Sequence, residues 1–399
     1  MNADLRRVVV AGAGVAGLET ALALRTLAPD SVSVELVAPE TEFVYRPLSV
    51  AEPFNVGEVR RFPLDALASA AGATLRTAAV DAVDPESKTV ALDNGNELEY
   101  DVLVLTLGGR AREAIAGALT FRGPADGAAL AVLLDRATAG TVKRIVFAIP
   151  TTVTWPLPLY ELALLTTEYL ANHGTRGVEI TLATPEDRPL ALFGPEASDA
   201  IAELLSIRGI QLETAVVPVG FAAGLLQLAG DNRLDADAVV ALPTLAGPEL
   251  PGVPCDRAGF VPTDEFGWVL GLTDVYAAGD MTQVAVKQGG IATEQADAVA
   301  SAIAADAGAA VEPTAFRPVL RGLLLTGLTP RYLRWEPGRG PSLVDTEPLW
   351  WPPAKIVGRY LTPFLAEHLG LDDLPSPVAD GVRVEVELEA TKDRHWAGV

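Results

Sequence analysis

A chain of 399 residues is too long for one hydrophobic core, so two or three domains are expected. Its 52 acidic and 30 basic residues give a formal net charge of −22, which argues against nucleic acid and anionic lipid as partners because both are polyanions. The single cysteine, Cys255, excludes an intrachain disulfide, and the three histidines lack the spacing of metal ligands, so no metal site is predicted. Because no signal peptide and no long charge-free apolar run is recognised, the sequence predicts no transmembrane segment and a cytoplasmic location.

The first predicted elements form a nucleotide-binding turn. The stretch RRVVVAGAGVAGLETALALRTLA reads as a strand, then Gly12-x-Gly14-x-x-Gly17, then a helix. In such a turn the glycines permit a tight bend, the close approach of a pyrophosphate and the packing of helix on strand, while the helix N-terminus attracts the phosphates. The next strand, SVSVELVAPE, carries Ala38 where an acidic residue is usual. Glu40 is therefore the candidate for holding the ribose, with a solvated loop carboxylate as the alternative.

A second α/β unit is predicted between Gly109 and about Leu242. Its strands read VKRIVFAIP, GVEITLATP, GIQLETAVVPV and DAVVALP, with helices near 158–172 and 196–208, so the chain is a weak internal repeat. The turn that corresponds to the first one, AIPTTVTWPLPLYELAL, contains three prolines, Trp155 and no glycine. Because prolines lack an N–H donor and Trp155 adds bulk, this turn is not expected to cradle a pyrophosphate. An inert half-domain is the alternative interpretation.

The last elements are a strand, a long alanine-rich helix and an aromatic C-terminal segment. The stretch TDVYAAGDMTQVAVKQGGIATEQADAVASAIAADA reads as a strand, then Gly279-Asp280, a loop and the helix. From residue 312 the composition shifts, and LWWPPAKIVGRYLTPFLAEHLG offers an apolar face with Lys355 and Arg359 on its rim. This segment is predicted to form a helix that packs over the first nucleotide-binding unit or against a homodimer partner, with peripheral membrane contact as the alternative. The stretch GVRVEVELEA alternates like an edge strand.

Together these motifs resemble the FAD-dependent pyridine nucleotide-disulfide oxidoreductase-like superfamily. Over roughly residues 5–335 the chain looks most like the group of sulfide:quinone oxidoreductases, flavocytochrome c sulfide dehydrogenases and type II NADH dehydrogenases. The shared points are the first glycine turn, FVYRP, YDVLVLTLGG, the glycine-free turn, AAGD and KQGGIATEQA. The resemblance implies an α/β fold of two Rossmann-type domains, the second inserted in the first. The implied parts are an FAD-binding domain (1–112 and 245–311), an NAD(P)-binding-like domain that lacks its glycine fingerprint (113–244) and an interface segment (312–399).

The resemblance also implies roles for particular residues. Asp280 would hold the ribityl chain of FAD, and Lys287 would stabilise negative charge on the flavin, with a plain surface lysine as the alternative for Lys287. Glu161, just inside the helix after the glycine-free turn, would approach the flavin as an acid/base or a polar gate. Glu294 and Gln295 would lie at the flavin edge where quinones dock in relatives, or else on a solvated helix face. The predicted cofactor-binding residues are Gly12, Gly14, Val15, Ala16, Gly17, Glu40, Arg46, Val80, Gly108, Gly279, Asp280, Lys287, Gly290 and Ile291.

The resemblance fails at the redox cysteines. The sulfide-oxidising relatives also lack the second glycine fingerprint, but they use a cysteine pair beside the flavin, one of which lies close to the position of Trp155. Cys255 matches neither cysteine and is interpreted as a loop thiol. The predicted function is an FAD-dependent oxidoreductase that passes electrons from a small-molecule donor to a quinone or another acceptor. The alternatives are an NAD(P)H:acceptor oxidoreductase, a flavin-binding subunit of a partner such as a cytochrome, and a chain that has lost FAD.

Overall fold

The computed structural model describes residues 5–151 and 153–369 and confirms the predicted α/β architecture. Helices pack on two parallel sheets, as expected where buried apolar strands alternate with helices. In the described residues the α-helices are α1 (Val15–Leu27), α2 (Leu64–Ala70), α3 (Gly127–Thr138), α4 (Leu157–Asn172), α5 (Pro195–Ile207), α6 (Gly289–Asp306) and α7 (Leu361–Leu369). Short 3-10 helices cover Arg46–Val50, Glu52–Phe54, Pro124–Asp126 and Ala191–Phe193.

The first sheet has five parallel strands. In spatial order they are Val275–Ala277, Val102–Leu105, Arg6–Ala11, Val32–Ala38 and Thr74–Thr77. Val8 and Val10 pack with α1 and α6 on one face, whereas Val9 and Ala11 point into a separate core on the other. That second face is covered by an antiparallel sheet of Val80–Asp84, Thr89–Leu92 and Glu97–Glu99. Burial on both faces explains why the strand Arg6–Ala11 is continuously apolar from Val8 to its end.

The second sheet repeats this layout. Its parallel strands are, in spatial order, Leu119–Thr120, Ala238–Ala241, Arg144–Ala148, Glu179–Ala183 and Gln211–Glu213. Helices α3, α4 and α5 cover one face. The other face carries an antiparallel sheet of Pro218–Ala222, Leu225–Leu228 and Arg233–Asp235. The strand Val275–Ala277 completes the first sheet after the second has been built, so the second unit is inserted in the first, as the fold-class prediction states.

An antiparallel pair of strands, Arg110–Arg112 and Thr244–Ala246, joins the two units. These strands lie at the two ends of the predicted second domain, 113–244, whose limits stay a prediction. A further antiparallel pair, Glu42–Val44 and Arg61–Pro63, belongs to the first unit. The two units are thus linked by two neighbouring strands that run in opposite directions, which places the inserted unit beside the first sheet.

The C-terminal segment contacts both units. It begins with an antiparallel sheet of Leu320–Leu324, Arg331–Trp335 and Leu343–Asp345 and continues to α7. Leu320 and Leu324 belong to the core of the second unit, whereas Ile356 and Leu361 belong to that of the first. The segment is therefore part of the folded body rather than an appendage.

Much of the predicted aromatic face is buried inside the chain. Trp350 is only 1% exposed, and its indole N–H donates to the carbonyl oxygen of Ala354 at 2.9 Å. This burial agrees with the packing interpretation of the face. No helix of residues 5–151 and 153–369 is long and apolar enough to cross a membrane. The predicted edge strand GVRVEVELEA lies outside the described residues.

Candidate functional site

The first glycine turn leaves open space at the N-terminus of α1. Gly12 has a φ of +110°, and its Cβ would lie 2.4 Å from the carbonyl oxygen of Thr106. A Cβ on Gly17 would lie 1.9 Å from the carbonyl oxygen of Gly12, so glycine lets α1 pack this closely on the strand. Gly14 differs, because no atom of residues 5–151 and 153–369 lies within 4 Å of the place its Cβ would take. A pyrophosphate fits this open end of α1, which begins at Val15.

The Gly279-Asp280 turn lies beside the first glycine turn. A Cβ on Gly279 would be 3.1 Å from the Cβ of Ala16. Gln295 of α6 holds this second turn, because its Oε1 accepts hydrogen bonds from the Gly279 N–H at 3.1 Å and from the Thr282 hydroxyl at 2.9 Å. Gln295 is buried. It supports the Gly279-Asp280 turn from inside, and the solvated-face alternative for this residue is wrong.

Gln288 caps helix α6. Its Oε1 accepts a hydrogen bond from the Ile291 N–H at 2.9 Å, and its Nε2 donates to the carbonyl oxygen of Arg321 at 3.2 Å. A Cβ on Gly290 would lie 3.0 Å from the same Oε1, so this glycine leaves room for the cap. This role could not be predicted from the sequence, because glutamine is not among the usual N-cap residues.

The predicted cofactor-binding residues follow the carboxyl ends of the first-sheet strands. Gly12, Glu40, Val80, Gly108 and Gly279 each come shortly after one of the five parallel strands. Because the carboxyl ends of parallel strands share one edge, the structure brings these residues to the same side of the sheet, where open α/β sheets bind ligands. Among them Glu40 is exposed, Val80 is half-buried, and Gly108 has a φ of +71° with open space around it.

A cavity of about 290 Å³ lies between the two units and the C-terminal segment. It brings together four residues of the predicted site: Arg46, Glu161, Asp280 and Lys287. The glycine-free turn also contributes to its wall, through Trp155 among others. Cys255 is exposed in its loop and is not among the lining residues.

Lys287 and Asp280 are two of the charged side chains that line this cavity. Lys287 is only 6% exposed; its Nζ donates to the carbonyl oxygen of Thr282 and lies 4.0 Å from the ring centroid of Phe260. Burial lowers the pKa of Lys287 to about 8, although the charges of Asp280 and Asp256 oppose this shift. Burial also raises the pKa of Asp280, against the effect of Lys287 and Arg46. The pKa of each group therefore depends on the charge of the other.

Replacing Lys287 by methionine is expected to remove a pH dependence of stability. Since the pKa of Lys287 is about 8 in the folded chain and 10.5 in its ordinary environment, the unfolded chain binds more protons between these values. The wild type therefore gains about 3 kcal/mol of unfolding free energy relative to Lys287→Met as pH rises through this window. Urea unfolding of the flavin-free proteins at neutral pH and near pH 10.5 measures this change. A difference in unfolding free energy between the wild type and Lys287→Met that stays constant with pH contradicts the expectation.

Glu161 forms a buried ion pair with Lys355. The Nζ of Lys355 lies 2.6 Å from Oε1 and 2.7 Å from Oε2 of Glu161, and the Leu325 N–H donates to Oε1 at 2.8 Å. Burial raises the pKa of Glu161, while Lys355 opposes the shift. From the sequence, Lys355 is expected on the rim of an apolar face. That placement is wrong, because the C-terminal segment folds back and turns this side chain into the cavity wall.

A second ion pair, Arg321 with Glu294, lies at the same cavity. Arg321 Nη1 lies 2.6 Å from Oε1 of Glu294, and the Val319 N–H donates to Oε2 at 3.0 Å. Burial raises the pKa of Glu294 to about 7, against the effect of Arg321. Glu294 therefore anchors the C-terminal segment instead of standing on a solvated helix face, and Arg321 lines the cavity.

The glycine-free turn differs from the first turn in length as well as composition. The Gly12 N–H donates to the Val37 carbonyl oxygen, and the Ile149 N–H donates to that of Ala183, both at 2.8 Å, so Ile149 occupies the position of Gly12. Helix α1 begins three residues after Gly12, but α4 begins eight residues after Ile149. Trp155 fills part of the longer turn and packs on Phe193 with a ring-centroid distance of 5.6 Å. The second unit therefore does not repeat the pyrophosphate-binding geometry.

The second unit carries an acidic residue at the position that corresponds to Glu40, and its carboxylate is hydrogen-bonded within the unit. Glu186 lies three residues after Ala183, just as Glu40 lies three residues after Val37. The carboxylate of Glu186 accepts hydrogen bonds from the Tyr160 hydroxyl at 2.7 Å, the Thr184 hydroxyl at 2.9 Å and the Ala191 N–H at 3.1 Å. These bonds engage the carboxylate at the position that corresponds to Glu40. The similar tetrapeptides VAPE (37–40) and ATPE (183–186) could have identified Glu186 from the sequence.

Comparison with known proteins identifies the family. Residues 6–140 and 162–296, more than half of the chain, match the pyridine nucleotide-disulphide oxidoreductase family, and the unmatched residues between them include the glycine-free turn. An NADH dehydrogenase-like protein of Mycobacterium tuberculosis is 28% identical over 314 residues, which cover 69% of this chain and 73% of that protein. The ferredoxin–NAD(+) reductase component of the anthranilate 1,2-dioxygenase system of Burkholderia cepacia is 29% identical over 295 residues, 71% of this chain and 69% of that protein.

A solved structure supports the same relationship. The sulfide:quinone oxidoreductase of Aquifex aeolicus matches with a TM-score of 0.78 and 20% identity, over 85% of this chain and 86% of that one. At this identity the match shows the fold, which agrees with the two parallel sheets and the inserted second unit. The fold and the family match together show that the chain is an oxidoreductase that belongs to the pyridine nucleotide-disulphide oxidoreductase family.

Proposed function

We propose that the protein is an FAD-dependent oxidoreductase that passes electrons from a small-molecule donor, through the bound flavin, to a quinone or another acceptor without a cysteine pair. The observation that carries this proposal is the cavity lined by Arg46, Asp280 and Lys287, on a fold whose first glycine turn leaves space for a pyrophosphate at Gly14. FAD, when bound, supplies the redox chemistry, which no side chain of this chain provides.

The residues of the chain bind and polarise the cofactor. The open end of α1 at Gly14 would receive the pyrophosphate, and Asp280 would accept hydrogen bonds from the ribityl hydroxyls. The ammonium of Lys287 is already held by the carbonyl oxygen of Thr282 and would favour negative charge on a bound ring. Glu40 would hold the ribose at the same edge of the sheet.

Glu161 is the residue we assign to proton exchange with a substrate in the cavity. Its Oε1 accepts hydrogen bonds from both Leu325 and Lys355, whereas in the described residues Oε2 accepts one from Lys355 alone. Oε2 is therefore the atom with a free lone pair for a proton. Because burial raises the pKa of this carboxyl, it is suited to gain and lose a proton closer to neutral pH.

A second candidate function is an NAD(P)H:acceptor oxidoreductase. The similarity to an NADH dehydrogenase-like protein favours it. The longer turn between Ile149 and Leu157 and the internally bonded Glu186 argue against it, because both positions would have to change to receive a nicotinamide dinucleotide. The first proposal therefore stands ahead of the second.

An anaerobic reduction screen of the purified protein tests both. We expect the isolated protein to carry flavin absorbance and NADH or NADPH to bleach it no faster than buffer does. Sulfide is also expected to leave the flavin oxidised, because the cysteine pair is absent. A quinol, which reverses the second half-reaction, is expected to bleach it.

Each other outcome has a definite meaning. Rapid bleaching by NADH or NADPH replaces the first proposal by the second. A flavoprotein that no small donor reduces and that copurifies with another chain indicates a partner subunit. A protein that stays colourless after refolding with FAD excludes the flavin chemistry altogether.

A further inference from the structure

The cavity wall carries a charge opposite to that of the rest of the chain. Five basic and two acidic side chains line it. The basic ones are Arg46, Arg122, Lys287, Arg321 and Lys355, and the acidic ones are Glu161 and Asp280. The whole chain has 30 basic and 52 acidic residues. Because a cavity with low-dielectric walls focuses field lines, this reversal of sign concentrates anions inside it.

The flavin does not account for all of this positive charge. Arg46 and Lys287 are assigned above to the cofactor, and Arg122 pairs with Asp126 at 3.2 Å. Arg321 and Lys355 remain, and both belong to the C-terminal segment that closes the cavity. Each pairs with one carboxylate, Arg321 with Glu294 and Lys355 with Glu161, so this wall can offer a ligand only the hydrogen-bond donors that those pairs leave unused.

Arg321 has an unused hydrogen-bond donor. The side chain is only 8% exposed, and Nη1 is engaged by Glu294 at 2.6 Å. Its Nε is buried and has no hydrogen-bond partner among the residues that the structure describes. A buried guanidinium nitrogen without a partner is unfavourable, and an oxyanion restores the missing bond.

Among the residues that the structure describes, Lys355 also retains a donor without a partner. An ammonium group has three N–H donors, and the two oxygens of Glu161 occupy at most two of them. The other side chains of the wall are largely apolar and include Phe121, Trp155, Leu242, Leu323 and Ile356. The wall therefore combines cationic donors with a surface for an apolar body.

We propose that the wall formed by Arg321 and Lys355 binds the carboxylate, or another oxyanion, of an organic substrate whose remaining body is apolar. This assignment deepens the proposed function and rests on it, because the substrate would exchange electrons with a flavin in the same cavity. The ion pair with Glu294 orients the guanidinium, and the pair with Glu161 orients the ammonium.

Benzoate and benzamide test the proposal, because they share one shape and differ in charge. Calorimetry and the change in flavin absorbance are measured with the flavin-loaded wild type at low ionic strength. We expect benzoate to bind about 10-fold more tightly than benzamide, which corresponds to about 1.4 kcal/mol. Equal affinities for the two probes overturn the proposal.

Two variants locate the binding. Arg321→Met alone leaves Glu294 buried without its partner, so the double variant Arg321→Met/Glu294→Gln, which removes both charges, keeps the test independent of misfolding. The double variant is expected to lose the preference for benzoate. The matched control, Arg317→Met, removes an exposed arginine that does not line the cavity and is expected to keep it. Retention of the preference by the double variant overturns the proposal.

The same measurements distinguish failure of the proposed function from failure of the anion site. A protein without flavin absorbance contradicts the flavin proposal, and calorimetry with the same two probes on that protein still reports on the anion site. A flavin-loaded protein that does not distinguish benzoate from benzamide contradicts the anion site alone.

Discussion

Lys355→Met is expected to lower the free energy of unfolding by about 3–5 kcal/mol at neutral pH. The substitution leaves the carboxylate of Glu161, which is 1% exposed, with the Leu325 N–H as its one remaining donor in the described part of the chain. Removal of one partner from a buried ion pair is more unfavourable than removal of both, because the remaining charge stays desolvated. Urea unfolding followed by tryptophan fluorescence measures the loss.

The pH dependence of this loss identifies its cause. Burial already raises the pKa of Glu161, and without Lys355 that pKa rises further. A carboxyl whose folded pKa is raised contributes stability that is present at low pH and lost as pH rises through the folded pKa. The deficit of Lys355→Met relative to the wild type is therefore expected to shrink as pH is lowered.

Two controls separate the ion pair from a general effect of substitution. The double variant Glu161→Gln/Lys355→Met carries no charge at either position and is expected to recover most of the loss. Lys143→Met removes an exposed lysine and is expected to change the free energy of unfolding by at most about 0.5 kcal/mol. A Lys355→Met variant as stable as Lys143→Met shows that the pair does not stabilise the fold.

The same pair shows what a sequence can and cannot reveal about this site. The first glycine turn could be predicted because its residues are neighbours in the chain and each glycine has a steric reason. The partnership of Glu161 and Lys355 could not, because the residues are 194 positions apart and meet only after the C-terminal segment has folded back. Such pairing depends on tertiary packing, which hydrophobic periodicity does not encode.

A comparison of the two units shows how the C-terminal segment is held. Glu19 is the fifth residue of α1 and Glu161 is the fifth residue of α4. Both are buried, and the Tyr360 and Leu361 N–H groups donate to Glu19 at 2.9 and 2.6 Å. Each unit therefore contributes one buried carboxylate to the same segment, and Glu19 satisfies the N-terminus of α7. The role of Glu19 could not be recognised from the sequence, because a glutamate inside a helix is usually a surface residue.

The fixed position of this segment has a functional consequence. Because a buried carboxylate of each unit holds it, the wall that carries Arg321 and Lys355 has a defined geometry relative to both units. A binding wall supported in this way needs little reorganisation when a ligand enters, which favours affinity and specificity. This arrangement makes the C-terminal segment a structural part of the candidate site.

Gly14→Ala and Gly17→Ala are expected to separate cofactor binding from folding. A Cβ on Gly17 meets the carbonyl oxygen of Gly12 at 1.9 Å, so the backbone must move, and we expect a loss of about 3 kcal/mol in the free energy of unfolding of the flavin-free protein. A Cβ on Gly14 meets no atom within 4 Å, and its φ of −78° suits alanine. Gly14→Ala is therefore expected to change stability by at most about 0.5 kcal/mol.

Gly14→Ala is expected to weaken FAD binding with little effect on stability, whereas Gly17→Ala is expected to lower the stability itself. In Gly14→Ala the new methyl group occupies the space where the pyrophosphate approaches the helix N-terminus, so the affinity for FAD is expected to fall by about 10-fold or more while the fold is retained. Fluorescence titration of the flavin-free proteins with FAD measures the affinity, and urea unfolding measures the stability. A methyl group at position 14 would occupy the space of a pyrophosphate bound at this end of α1. A Gly14→Ala variant that folds normally and binds FAD like the wild type therefore shows that the pyrophosphate does not lie there.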